Sequence, residues 1–176
     1  MKISGKRAGR QWPRRLALAA VCLAGAVCLG ALPSPAGGFT GLVVGVQDGD
    51  TLTVLKDGGD QVRIRLWGID APERGQAYTS AAKRYLASLA FGKTVRVLVR
   101  DYDHYGRTVG EVILPDSTNL NQEMVRAGYA WWFRRYAPQD RVLEQLETEA
   151  RQAKRGLWAD PQTEPPWDFR RLKRSQ

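Results

Sequence analysis

Residues Asp48–Arg74 read DGDTLTVLKDGGDQVRIRLWGIDAPER, and the fold of the chain turns on this stretch. Two runs rich in β-branched and apolar residues, Thr51–Leu55 and Val62–Leu66, flank Asp57-Gly58-Gly59-Asp60. Asp-Gly and Gly-Gly provide the positive φ angles of a tight reversal, so the stretch predicts a β-hairpin. In the second run Val62, Ile64 and Leu66 alternate with Arg63 and Arg65, which turns the apolar trio to a core and both arginines to the other face. Carboxylates stand at both outer ends, Asp48 and Asp50 before the hairpin and Asp70 and Glu73 after it. A hairpin folds those ends back on each other. Acids gathered at one point repel unless positive charge lies among them, which suggests a bound cation. Asp, Gly and Pro also serve as plain turn residues, the other reading of Asp48-Gly49 and Asp70-Ala71-Pro72.

Outward from the hairpin, Val43, Val44 and Val46 form a preceding strand pattern. The period changes to helical over Thr79–Ala90, where Ala82, Leu86 and Leu89 share a face and Gly92 marks a stop. Val95, Val97 and Val99 alternate as a further strand, and Thr108–Leu114 give a fifth. Asn119–Ala127 reads as a short helix closed by Gly128. Pro138–Arg155 reads as a longer one, with Leu143, Leu146, Ala150, Ala153 and Leu157 at helical spacing and Gly156 at its end. Five short strands and about three helices predict an α+β fold, a small, partly open five-stranded barrel of the OB type spanning residues 39–159. Residues 160–176, Pro-rich and then basic, are expected to form a poorly ordered tail.

The other end has a different character. Lys2, Lys6, Arg7, Arg10, Arg14 and Arg15 precede an apolar run from Leu16 to Leu32, and Pro33-Ser34-Pro35-Ala36 ends it with small residues. That layout predicts a signal peptide over residues 1–36, with an uncleaved membrane anchor through residues 16–32 as the rival reading. A secreted or periplasmic location is expected, with membrane contact only if the segment is retained. Arg14-Arg15 ahead of the apolar run hints at twin-arginine export. Removing residues 1–36 takes 6 of the 27 basic residues and none of the 18 acids, leaving a net charge of +3. Residues 168–176 carry four basic residues and one acid, so residues 37–167 are neutral overall. The high isoelectric point is therefore no argument for a polyanionic partner. Both cysteines, Cys22 and Cys28, lie in the apolar run, which excludes thiol chemistry and thiolate-bound metals from the folded domain.

Other chemistries fall away as well. His104 is the single histidine, no nucleophile elbow of the G-x-S-x-G form exists, and Gly92-Lys93-Thr94 lacks the rest of a phosphate loop. Carboxylates, arginines and a hard cation remain. Oxygen-rich acidic loops suit Ca²⁺ or Mg²⁺, and so few acids leave part of a shell of about six to eight ligands to water and substrate. A guanidinium fork binds two phosphate oxygens at once and stays charged at any relevant pH. A carboxylate-pair glycosidase is a further reading, but it leaves Arg65 and Arg107 without a task.

Three blocks carry a resemblance. Asp48-Gly49-Asp50-Thr51, then Arg65-Leu66-Trp67-Gly68-Ile69-Asp70-Ala71-Pro72-Glu73, then Tyr105-Gly106-Arg107 resemble, in order and spacing, the signature blocks of the staphylococcal (micrococcal, or thermonuclease) nuclease family. The likeness runs from about Leu42 to Trp158. It implies an OB-type barrel and a Ca²⁺-dependent endonuclease that hydrolyses DNA and RNA with little sequence preference and leaves 3′-phosphate ends. It also implies residue roles. Asp50, Asp70 and the Ala71 carbonyl resemble the metal ligands, and Glu73 the general base. Arg65 and Arg107 resemble the pair on the scissile phosphate, and Tyr105 and Tyr136 the nucleotide-pocket tyrosines. A monomer is expected. The chain departs from the best-known member at Ala71 (there threonine), His104 (lysine) and Arg134 (tyrosine), and in a shorter Glu73–Tyr78 loop. The alternative is a catalytically inactive OB-type nucleic-acid-binding module. In the run WWFRRY from Trp131 to Tyr136, one tryptophan of the pair is expected in the core.

Overall fold

β2 (Thr51–Lys56) and β3 (Gln61–Leu66) form the expected hairpin, with Thr51 opposite Arg65 and Val54 opposite Val62. Gly58 and Gly59 take φ of 105° and 96° at its tip, where a side chain would be strained. This computed structural model describes residues 37–175 and the terminal Met1. Residues 2–36, and with them the expected export segment and both cysteines, lie outside the described residues.

Three more strands complete a barrel around the hairpin. β1 (Gly38–Val46) pairs antiparallel with β2 on one side and with β5 (Thr94–Tyr102) on the other. β5 pairs with β6 (Thr108–Ile113), and β6 runs parallel to β3 through Ile64–Thr108 and Leu66–Gly110, closing the circle β1-β2-β3-β6-β5. The five-stranded barrel is as expected, but closed rather than partly open. Leu52, Val54, Ile64, Leu66, Val95, Val97 and Val112 fill it and are fully buried, each aliphatic side chain contributing about 1.5–3 kcal/mol by leaving water.

The helices cover the barrel. α1 (Thr79–Ala90) lays Ala82, Leu86 and Ala90 on it. α2 (Leu120–Arg126) starts where the Asn119 side chain accepts the Gln122 N–H at 3.2 Å. α3 (Arg141–Gln152) starts where Asp140 accepts the N–H groups of Val142 and Leu143. Buried Asn121 joins α2 to the barrel, accepting the Val112 N–H at 3.1 Å and donating to the carbonyls of Trp67 and Gly110 at 2.9 and 3.1 Å.

Two further features depart from expectation. A two-stranded sheet pairs β4 (Ile69–Asp70) with β7 (Trp131–Trp132), Asp70 opposite Trp131. Both tryptophans are buried, not one, because β7 is covered on both faces: Trp132 by the main core, and Trp131 by the edge of Trp158 at 5.4 Å. The stretch expected to be irregular holds a fourth helix, α4 (Pro166–Arg174). Pro166 pre-sets its first turn, Asp168 lies at its positive end, and Arg171, Lys173 and Arg174 lie at its negative end. Trp167 stacks on Phe133, with centroids 5.3 Å apart and planes 14° apart, which docks the helix.

Candidate active site

The loop before β2 and the chain after β3 meet through Asp50. Its backbone carbonyl accepts the Leu66 N–H at 2.8 Å, and its Oδ2 accepts the Ala71 N–H at 2.7 Å. The loop is pressed onto α1: a Cβ at Gly49 would come within 2.7 Å of the Ala71 Cβ and 2.8 Å of the Ala82 Cβ, so only glycine fits. Pairing of β4 with β7 buries Asp70, which is 1% exposed. Between the two acids stands Arg65, sent to the outer face by the alternation of β3. Its Nη1 faces Asp50 Oδ2, and its Nη2 donates to Asp70 Oδ1 at 2.8 Å. One guanidinium thus bridges carboxylates twenty residues apart in sequence.

The electrostatics follow from that crowding. Burial raises the Asp70 carboxyl above its ordinary range, while the Arg170 and Arg65 guanidiniums pull it down. Burial, and then the neighbouring Asp50 charge, push Asp48 up to about 6. Burial opposes the charge on Arg65, but Asp50 and Asp70 outweigh it and raise the guanidinium further.

Glu73 follows Pro72 in a loop held by side chains. Its N–H is accepted by Gln76 Oε1 at 2.7 Å, and its carbonyl accepts the Thr79 hydroxyl. Its carboxylate reaches the same cleft and accepts a 2.5 Å bond from Arg170 Nη1. Arg170 Nη2 also donates to Asp70 Oδ2 at 2.7 Å. Arg107 sits in the β5–β6 turn. There Asp103 Oδ1 accepts the N–H groups of Tyr105 and Arg107, each at 3.0 Å, and Asp103 Oδ2 accepts the Arg107 Nε at 2.7 Å. Burial works against the Asp103 charge, but the Arg107 backbone and guanidinium dominate and hold the carboxyl below the usual range.

A cleft of about 1520 Å³ contains all of these groups. The structure brings Asp50, Asp70, Ala71, Arg65 and Glu73 into one contact network. Arg107 lines the same cleft with its Nε bonded to Asp103. Tyr105 and Tyr136, 73% and 65% exposed, stand on its rim, open to a flat ligand. Sequence reasoning missed Arg170 and Asp103. The Pro-Pro pair ahead of a basic run was a usable helix-start signal for the first, and the Asp-x-x-Gly turn for the second.

Among the described residues no three His, Cys, Asp or Glu side chains form a ready metal cage. The donor chemistry still fits a hard cation. Every candidate ligand is oxygen, and the guanidinium span of Arg65 sets the two carboxylates close enough to be bridged. Asp50, Asp70 and Glu73 carry one more formal charge than the Arg65 and Arg170 that pair with them.

The fold and the cleft define a closed five-stranded β-barrel protein with a surface site of carboxylates and arginines. Residues 63–160 match the family described as staphylococcal nuclease homologue, and the chain belongs to that family. It is 50% identical over 133 residues to an "uncharacterized endonuclease" of Escherichia coli O157:H7, covering 76% of this chain and 86% of that one. It is 42% identical over 146 residues to a "micrococcal nuclease" of Shigella flexneri, covering 78% and 83%. "Protein ParB" of Escherichia coli is 39% identical over 168 residues, covering 90% and 94%.

Proposed function

We propose that this nuclease is an exported, Ca²⁺-dependent endonuclease that hydrolyses phosphodiester bonds in DNA and RNA with little sequence preference. The bridging of Asp50 and Asp70 by Arg65, in one cleft with Glu73 and Arg107, carries this reading. Asp50, Asp70 and the Ala71 carbonyl would hold Ca²⁺, which supplies positive charge to a phosphoryl oxygen. Glu73 accepts a proton from the attacking water at a carboxylate oxygen. The water oxygen bonds to phosphorus as the bond from phosphorus to the 5′ oxygen breaks; that oxygen leaves with the bonding pair and takes a proton from solvent, and the products are a 3′-phosphate and a 5′-hydroxyl. Arg65 and Arg107 offer planar forks to the charge that builds on the phosphoryl oxygens. In the resting state both are bonded to carboxylates, which hold each guanidinium at the cleft. Tyr105 and Tyr136 offer exposed rings to bases, a contact tolerant of sequence.

The test is digestion of single-stranded DNA and RNA with Ca²⁺, with Mg²⁺ and with chelator, followed by analysis of the ends. Cleavage with Ca²⁺ that leaves 3′-phosphates is expected, with much less in Mg²⁺, whose stricter octahedral demands suit this loop poorly. Binding without cleavage under every condition would instead identify an inactive nucleic-acid-binding barrel. Export is supported by the basic and then apolar pattern of residues 1–36. Terminal sequencing of the mature protein should start near Gly37.

A further inference from the structure

Arg170 stands 97 and 100 residues beyond the two acids it binds. It donates to Asp70 through both terminal nitrogens, Nη2 to Oδ2 at 2.7 Å and Nη1 to Oδ1 at 3.3 Å, and Nη1 also meets Glu73 Oε1 at 2.5 Å. Asp70 Oδ1 already accepts from Arg65 at 2.8 Å. Both oxygens of Asp70 are therefore bonded to guanidinium, and Glu73 shares one of those guanidiniums. We propose that Arg170 is a further residue of the active site, an internal cation that sets the affinity of the site for its divalent ion by holding Asp70 and Glu73 until that ion displaces it. The proposal rests on the calcium-dependent reading above.

The placement is built from several sides. Trp167, one turn earlier on α4, stacks on Phe133, and Pro166 at the helix start is buried. Gln76 ties the helix entrance to the Glu73 loop: its Oε1 accepts the Glu73 N–H at 2.7 Å, and its Nε2 donates to the Glu164 carbonyl at 3.1 Å. One side chain thus fixes the backbone of Glu73 and the approach of the helix that carries Arg170. Burial opposes the Arg170 charge, but its bonds to Asp70 and Glu73 outweigh this and raise the guanidinium above its ordinary range.

The consequence is competition. A divalent ion held by Asp70 would place like charge beside Arg170 and compete with it for that carboxylate. Arg170 therefore marks a resting form. It offsets part of the charge of the acids while no ion is present and would release Asp70 and Glu73 together on ion binding.

Calorimetric titration of the full chain with calcium alone, without nucleic acid, tests this on the parent, Arg170→Gln and Arg170→Lys, with circular dichroism confirming the fold. Removing one competing charge-assisted pair should tighten calcium binding of Arg170→Gln by roughly tenfold, about 1.4 kcal/mol. Arg170→Lys keeps a point charge without the fork and should fall between. If Arg170→Gln does not fold, the Arg170→Lys titration decides. A merely structural arginine would lower the melting temperature and leave calcium affinity unchanged or weaker. That result, with the parent binding calcium, overturns the role of Arg170 and leaves the calcium reading standing. If no variant and no parent protein binds calcium, the calcium reading falls and this proposal falls with it.

Discussion

Two arginines of similar expected role are held in different ways. Arg65 lies between two carboxylates and is largely buried, whereas Arg107 is tied to a single acid within its own turn. Asp103 fixes Arg107 by backbone and side chain together, so the guanidinium is preoriented at the cleft edge. Arg107→Lys keeps a charge but loses the planar fork that can hold a carboxylate and present a second face to phosphate. Turnover on single-stranded DNA should fall by a factor on the order of 10²–10³, the worth of one preorganised donor, with little change in melting temperature. Turnover near that of the parent in a folded Arg107→Lys protein would remove Arg107 from the chemistry. Arg65 was legible in the sequence because β3 alternates, and alternation assigns a face to every residue. Arg170 was not, because its meaning depends on a contact across most of the chain, which no local pattern encodes.

The five barrel strands and first three helices could be read at the level of elements because each is long enough to show a period of two or of 3.6 residues. β4 and β7, two residues each, are too short for any period. Tertiary position makes them strands, and β4 is what fixes Asp70. A polar side chain in the core joins these layers. Asn121 satisfies the Val112 N–H and the carbonyls of Trp67 and Gly110, the last of which accepts the Trp67 N–H as well. Replacing it by alanine leaves at least one buried donor without a partner and opens a small void. Asn121→Ala should cost about 2–4 kcal/mol of unfolding free energy, from an unsatisfied buried group plus lost packing. Urea denaturation checks it, with the midpoint falling at unchanged slope. A loss under about 0.5 kcal/mol, the scale of a neutral surface change, would mean that the Asn121 bonds contribute little net stability.

Charge across the molecule is uneven in a way that composition hides. The formal charge of +9 divides into six basic residues in residues 1–36, a neutral stretch over residues 37–167, and +3 in residues 168–176. The net positive charge of the folded domain therefore sits on α4, beside the cleft. Arg170 and Arg174 are four residues apart and so share a helix face, and both line the cleft. Arg170 is engaged with the acids, but Arg174 is exposed at the helix end, where it would meet a phosphate further along a bound strand. Each phosphate neutralised on a single strand contributes about −0.7 to the slope of log affinity against log salt. Arg174→Gln should accordingly weaken binding of single-stranded DNA, measured in chelator to prevent cleavage, and make the slope shallower by about 0.7. Turnover at saturating substrate should stay at the parent level, because among the described residues it is Arg170, not Arg174, that pairs with Asp70 and Glu73. An unchanged slope would place α4 away from the path of the strand and confine its effect to the acids that Arg170 holds.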